Sequence, residues 1–150
     1  MRRRRRALST TRPDKISLVV YSGDFDKVHY ALVMASGAAA IGTAATLFFT
    51  GDALKALTPG WRGMPIGRGR DLGLSDAGTM DDDFKAKRIG TFEELLSACA
   101  AMGVKIMVCE MGLRALGMKR ADLRSDIQIE EGGIVTFLED ASKTGAVVFI

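Results

Sequence analysis

Thr91-Phe-Glu-Glu-Leu-Leu-Ser-Ala-Cys-Ala-Ala-Met-Gly-Val-Lys-Ile-Met-Val-Cys109 carries a helix, its stop and a strand in one run. Thr91 and Glu94 have the spacing of a capping box, which predicts a helix opening there and running to about Met102. Gly103 ends it, because glycine readily takes the left-handed conformation that closes a helix. Lys105-Ile-Met-Val-Cys109 is a short apolar run and reads as a buried strand. A further short helix follows within Gly112–Met118, with Met111–Leu113 at its start. A strand therefore feeds a helix at Cys109.

The same alternation extends outward. Ile16-Ser-Leu-Val-Val-Tyr21 is a second buried strand. Asp24 or Asp26 caps a helix in which Val28, Ala31, Leu32, Ala35 and Ala39 recur at helical spacing to about Ile41, with Gly42 as its stop. Its small residues Ala35–Ala40 let it lie close on a sheet. Ala45-Thr-Leu-Phe-Phe49 is another strand, and Asp52 caps a short helix through Leu57. Ile127–Ile129 reads as a short strand. Ile134, Phe137, Leu138 and Ala141 mark a last amphipathic helix stopped by Gly145, and Ala146–Ile150 a terminal strand. No internal repeat is visible. Strands alternating with helices argue an α/β fold with a parallel sheet covered on both faces.

The chain has 150 residues and a formal net charge of +3. That length fits one domain with a proper core and needs no disulfide or metal staple. The charge invites a nucleic-acid partner, but six of the 21 basic residues lie in residues 1–12. The remaining 15 face 18 acids, a net of −3. Residues 1–12 are expected to form a disordered arginine-rich tail, because consecutive arginines repel one another. Residues 13–150 are expected to form the folded domain. No apolar segment follows Arg6 as a secretory signal would require, and no run approaches a membrane span. The few aromatics are not interleaved with basic residues, so the domain does not favour nucleic acid. Two cysteines without a signal peptide suit a reducing cytoplasm.

The sequence offers few chemical groups. No Cys/His cluster has zinc spacing, no Walker A sequence is present, and one histidine cannot support a Ser/His/Asp set. Gly67–Gly73 is one residue too long for a dinucleotide fingerprint. No metal or cofactor is expected. Cys109 stands out, because functional groups gather at the carboxyl ends of strands in α/β sheets. A thiol facing helix amides there can act as a nucleophile. It can equally be a buried, inert packing residue. Glu110 follows it directly and would oppose the helix effect if close. Cys99 sits within the preceding helix and reads as core, and reach arguments predict two free thiols. His29 is placed at the same sheet edge as an accessory proton carrier, or as a plain helix residue. Asp24 reads as a helix-start residue. Residues 58–80 hold six glycines, two of the three prolines, Trp61 and three arginines. This stretch reads as a mobile or partner-binding loop, or a mere insertion, with Trp61, Arg62, Arg68 and Arg70 as contact residues. Asp81-Asp-Asp83 reads as a solvated turn.

Gly23-Asp-Phe-Asp-Lys27, Ala38-Ala-Ala-Ile-Gly42, Leu47-Phe-Phe-Thr50 and Cys109-Glu-Met-Gly-Leu-Arg-Ala-Leu-Gly117, in this order, resemble the DsrE/DsrF-like (DsrEFH/TusBCD) sulfur-relay family. The likeness covers roughly residues 14–150. It is narrower to the branch labelled peroxiredoxin-family or DsrE-type sulfurtransferase, although no peroxidatic cysteine motif surrounds Cys109. The resemblance implies a three-layer α/β/α domain with a mainly parallel five-stranded sheet, and homo-oligomers such as dimers, trimers or hexamers. It implies persulfide sulfur carried on the residue matching Cys109 and passed between donor and acceptor proteins. Cys99 carries over less directly, since second cysteines vary in position. Gly112 departs from the serine frequent in relatives. Asp24 is also counted among the binding candidates, with Trp61, Arg68 and Arg70. The alternative is a non-catalytic assembly or ligand-binding module on the same fold, using loop 58–80.

Overall fold

The computed structural model describes residues 11–150; the arginine run lies outside them. Five strands form a wholly parallel sheet: β1 (Lys15–Val20), β2 (Ala44–Phe49), β3 (Lys105–Cys109), β4 (Glu130–Gly132) and β5 (Ala146–Phe149). Their order is β4-β3-β2-β1-β5. Between them run α1 (Phe25–Ala40), α2 (Ala77–Ala86), α3 (Phe92–Ala101), α4 (Glu110–Ala115) and α5 (Ile134–Asp140). A strand's side chains alternate between faces. On β3, Ile106 and Val108 enter the larger core, whereas Met107 and Cys109 enter a second, smaller one.

The larger core lies under α1 to α4. α1 presents Phe25, Val28, Leu32 and Ala35 to it, all fully buried. The capping box at Thr91 forms as expected: the Thr91 hydroxyl accepts from the Glu94 amide and the Glu94 carboxylate from the Thr91 amide. Gly42 and Gly103, the expected helix stops, both have positive φ. Among the described residues, α5 is the helix that covers the opposite face, completing the three layers.

The structure corrects several expectations. Residues 58–80 are not an open loop. Two 3-10 turns, Trp61–Gly63 and Arg68–Leu72, lead into α2, and Trp61, Met64 and Ile66 are buried. Trp61 packs against Phe25 (5.7 Å between ring centres) and Phe92 (4.5 Å), so it anchors the core and is no surface contact. Asp81–Asp83 is not a turn but lies within α2. Asp81 is buried, and its carboxylate accepts the Phe92 amide at 2.8 Å, at the first turn of α3. Burial pushes its pKa up, partly offset by that hydrogen bond. The short strand expected at 127–129 forms instead at Glu130–Gly132, where the ladder to Met107–Cys109 is made.

α5 is held by two features. Phe137 is buried and stacks on Phe48 at 5.0 Å. Asp140 receives hydrogen bonds from Lys15 Nζ (2.8 Å), Lys105 Nζ (2.6 Å) and the Thr46 hydroxyl (2.6 Å), so one carboxylate pins the helix to three strands. Burial alone would raise the Asp140 pKa, but the bonds from Lys105, Lys15 and Thr46 outweigh it and hold it well below the usual carboxylate range.

Two outcomes follow. Trp61→Ala should cost about 3–5 kcal/mol in denaturant unfolding, the range for removing a buried large aromatic; a cost near zero would contradict its core role. Asp140→Asn should cost about 2 kcal/mol at neutral pH, the scale of charge-assisted hydrogen bonds in a mostly buried site. Because the folded pKa of Asp140 is depressed, its stabilisation is present above its unfolded pKa of about 3.9 and lost as pH falls below that value. The acid decline in stability should therefore be shallower in Asp140→Asn, as followed by unfolding at a series of pH values.

Candidate functional site

Cys109 is the last residue of β3 and the N-cap of α4, so the chain turns from strand to helix on it. Its cross-strand partner on β4 is Gly132. On the other side, the pairing of Phe49 with Val108 brings the chain just beyond Phe49 alongside it. The side chain points to the thinly covered face and joins Val19, Phe48, Met107 and Phe137 in a buried cluster. Only 4% of the residue is exposed. Glu110 and Met111, next in sequence, are both exposed.

Gly112 explains how α4 is seated. A Cβ there would lie 3.0 Å from Leu54 Cδ1 and 3.1 Å from Thr50 Oγ1. The helix thus packs directly on the 3-10 segment Gly51–Leu57 that follows β2. Gly51 has φ +54°, and its own Cβ would meet the Tyr21 ring at 3.1 Å. The turns leaving β1, β2 and β3 are packed together through these two glycines. A serine at 112 would require its neighbours to shift by a few tenths of an ångström.

The other candidates do not converge on Cys109. His29 is buried on α1, with Nε2 2.8 Å from the Gly90 carbonyl oxygen and the ring 4.4 Å from Phe84. That is the other face of the sheet, so His29 holds the turn before α3 and is not placed beside the thiol. Cys99 is fully buried on the same face as His29, 3.8 Å from the Leu32 carbonyl, and burial pushes its thiol up to about 11. Both cysteines are free. They lie on opposite faces of the sheet, which separates them more thoroughly than reach along the chain. Asp24 occupies the N-cap position of α1, but its side chain makes no capping hydrogen bond and instead pairs weakly with Lys27 at 3.7 Å. Its neighbour Asp26 accepts the Gly67 and Arg68 amides and ties down the turn carrying Arg68 and Arg70, whose own side chains are exposed. Arg62 lies over the Trp61 ring and pairs with Asp82 at 3.0 Å.

Sequence reasoning missed a cleft of about 720 Å³ at the carboxyl ends of β1, β2 and β5. Tyr21, Lys27, Gly51, Asp52 and Phe149 line it, and Tyr21 and Phe149 pack together at 5.3 Å. The available signal was the position of Tyr21 and Gly51 just beyond two strands, where α/β sheets gather ligands. Cys109 does not line this cleft, but Gly51 belongs to both the cleft wall and the seat of α4. Among the described residues, no group of three or more His, Cys, Asp or Glu is placed to hold a metal, and no helix is long and apolar enough to cross a membrane.

Comparisons with known proteins agree with this architecture. YrkE, an uncharacterised protein of Bacillus subtilis, is 29% identical over 94% of this chain and 99% of its own length. The sulfur carrier protein DsrE2 of Allochromatium vinosum is 29% identical over 91% of this chain and 98% of its own. Among solved structures, MTH1491 of Methanobacterium thermoautotrophicum, a protein of unknown function, superposes with a TM-score of 0.54 at 14% identity. The ychN protein of E. coli does so with 0.53 at 18%. Each covers 91% of this chain and 98% of its own, and at such identities the likeness concerns the fold. The model of the DsrE/DsrF/DrsH-like family matches residues 54–149, which include Cys109, Gly112 and α5, and the chain belongs to that family.

Proposed function

We propose that the protein is a cytoplasmic sulfur-relay protein that carries sulfane sulfur as a persulfide on Cys109 and passes it to an acceptor protein. The observation that carries this reading is the position of Cys109, at a strand-to-helix junction on the carboxyl edge of the sheet, within the family-matched segment. A relative of nearly full coverage is named as a sulfur carrier, which supports the same reading. Cys99 is the wrong thiol for the task, because its burial disfavours the thiolate, which is the attacking species.

The exchange balances without a cofactor. The Cys109 thiolate attacks the terminal sulfur of a donor persulfide, a new S–S bond forms on Cys109, and the donor leaves as a thiolate. An acceptor thiolate then attacks the outer sulfur, takes it, and Cys109 leaves as a thiolate. Donor and acceptor are proteins in this reading.

Incubation with a sulfane donor, followed by intact-mass and peptide analysis, should add 32 Da to Cys109 and not to Cys99. Cys109→Ser should abolish loading while leaving the fold intact. An unmodified Cys109, under conditions that load a control carrier, would refute the carrier role.

We also propose self-association through the β5 edge of the sheet, which bears on the assembly-module alternative. Trp61 is no longer available to that alternative, being buried. Tyr21, Val147 and Phe149, on or just beyond β1 and β5, lie more than half exposed. Sedimentation should show an oligomer that Phe149→Asp weakens, since a charge would be buried at the contact. A monomeric wild-type protein at micromolar concentration would remove this proposal.

A further inference from the structure

We infer that α5 is a movable cover over the Cys109 thiol, plugged by Phe137 and latched by Asp140, and that the thiol reacts with partners only when this helix lifts. The inference builds on the proposed sulfur site and adds how access to it is controlled.

Thiol exchange needs an attacking sulfur to approach its target in line, and a residue 4% exposed leaves no room for a protein thiol to do so. Something must move. The buried cluster that contains Cys109 shows what: Val19, Phe48, Met107 and Cys109 all stand on strands inside the sheet, and Phe137, stacked on Phe48, is its one member from another element. Opening the sheet would break ladders; withdrawing Phe137 need not.

α5 is built to move at lower cost than its neighbours. Of its seven residues only Phe137 is buried, whereas Ile134, Val135 and Leu138 each expose more than half their surface. The backbone is extended on both sides of it, at Gly133 and Ala141, and the chain enters through the pair Gly132–Gly133. Its remaining grip is at Asp140: the carboxylate faces Lys15, Lys105 and Thr46, and Lys15 Nζ also donates to the Asp140 carbonyl at 2.8 Å. α4, on the other side of the thiol, cannot serve as the cover so readily. Leu113 is buried in the larger core and Gly112 packs on Leu54 and Thr50.

Cys99 provides an internal control. It is fully buried in the larger core between α3 and α1, so global unfolding exposes both thiols whereas lifting α5 exposes only Cys109.

The test is pulsed labelling of the native full chain with N-ethylmaleimide, with the two thiols quantified separately by peptide mass. In the wild type, Cys109 should label far more slowly than in denaturant. Asp140→Asn, and the more disruptive Phe137→Ala, should speed its labelling by about tenfold or more while Cys99 stays protected on the same timescale. Cys109 labelling at the denatured rate in the wild type would show that no cover exists. Cys99 and Cys109 labelling together in Asp140→Asn would assign the opening to the whole domain, and an unchanged Cys109 rate in that variant would remove the latch. Failure of sulfur loading with the expected labelling pattern would count against the carrier role alone, because maleimide reports access and not sulfur chemistry.

Discussion

A parallel sheet has to keep water off both faces, and this one is covered unequally. The crossovers from β1 through β4 deliver α1, α3 and α4, with α2 and the turn at Trp61, to one side, where the larger core forms. The final crossover from β4 to β5 passes the other side and supplies seven helical residues. β5 lies beyond β1 at the far edge, so that crossover must span β3, β2 and β1 to reach it. One short helix cannot cover that width. Phe137 and Asp140 are placed where they secure most: an aromatic stacked on the central strand β2, and a carboxylate reaching β1, β2 and β3 at once.

The Asp140 cluster shows which effect wins at that contact. A carboxylate taken from water loses solvation, and one partner would not obviously repay it. Here two ammonium groups and a hydroxyl donate to it, and their combined bonds overcome desolvation, so the carboxylate stays charged well below its ordinary range. Lys105 is correspondingly raised, chiefly by its hydrogen bond to Asp140. The attachment is strong for its size but local. It secures the end of α5 away from Cys109, because Lys15, Thr46 and Lys105 lie toward the amino ends of their strands.

The strands and the main helices were legible in the sequence because their signals are local: bounded apolar runs, the Thr91/Glu94 capping box, and glycines at helix ends. The position of Cys109 at a strand-to-helix junction was legible too, but which face of the sheet its side chain takes was not, because that depends on where the helices pack. What sequence could not supply were pairings between distant residues. Residues 58–80 have the composition of a loop, yet Trp61, Met64 and Ile66 insert into a pocket whose walls, Phe25 and Phe92, lie far away in the chain. Asp81 sits in a charged run that resembles a solvated turn. Its reason for burial, the free amide of Phe92, belongs to the next helix. His29 reads as a sheet-edge residue until its partner, the Gly90 carbonyl, is known. β4 was expected three residues early because Glu130–Gly132 is an edge strand chosen by backbone pairing with β3 and not by apolar pattern.

The division between faces also decides what two cysteines can do together. In a pair on one face, a persulfide on one thiol could be attacked by the other, closing a disulfide and releasing the sulfur as sulfide. Here the sheet stands between them, and desolvation keeps Cys99 protonated at neutral pH, with its thiol at about 11. Neither the distance nor the thiolate is available for an internal attack. On the proposed relay, sulfur held on Cys109 would therefore leave to a nucleophile from outside the chain, arriving on the face that carries α5. The same asymmetry that leaves one side of the sheet thinly protected would thus set both the route of the proposed exchange and its intermolecular character.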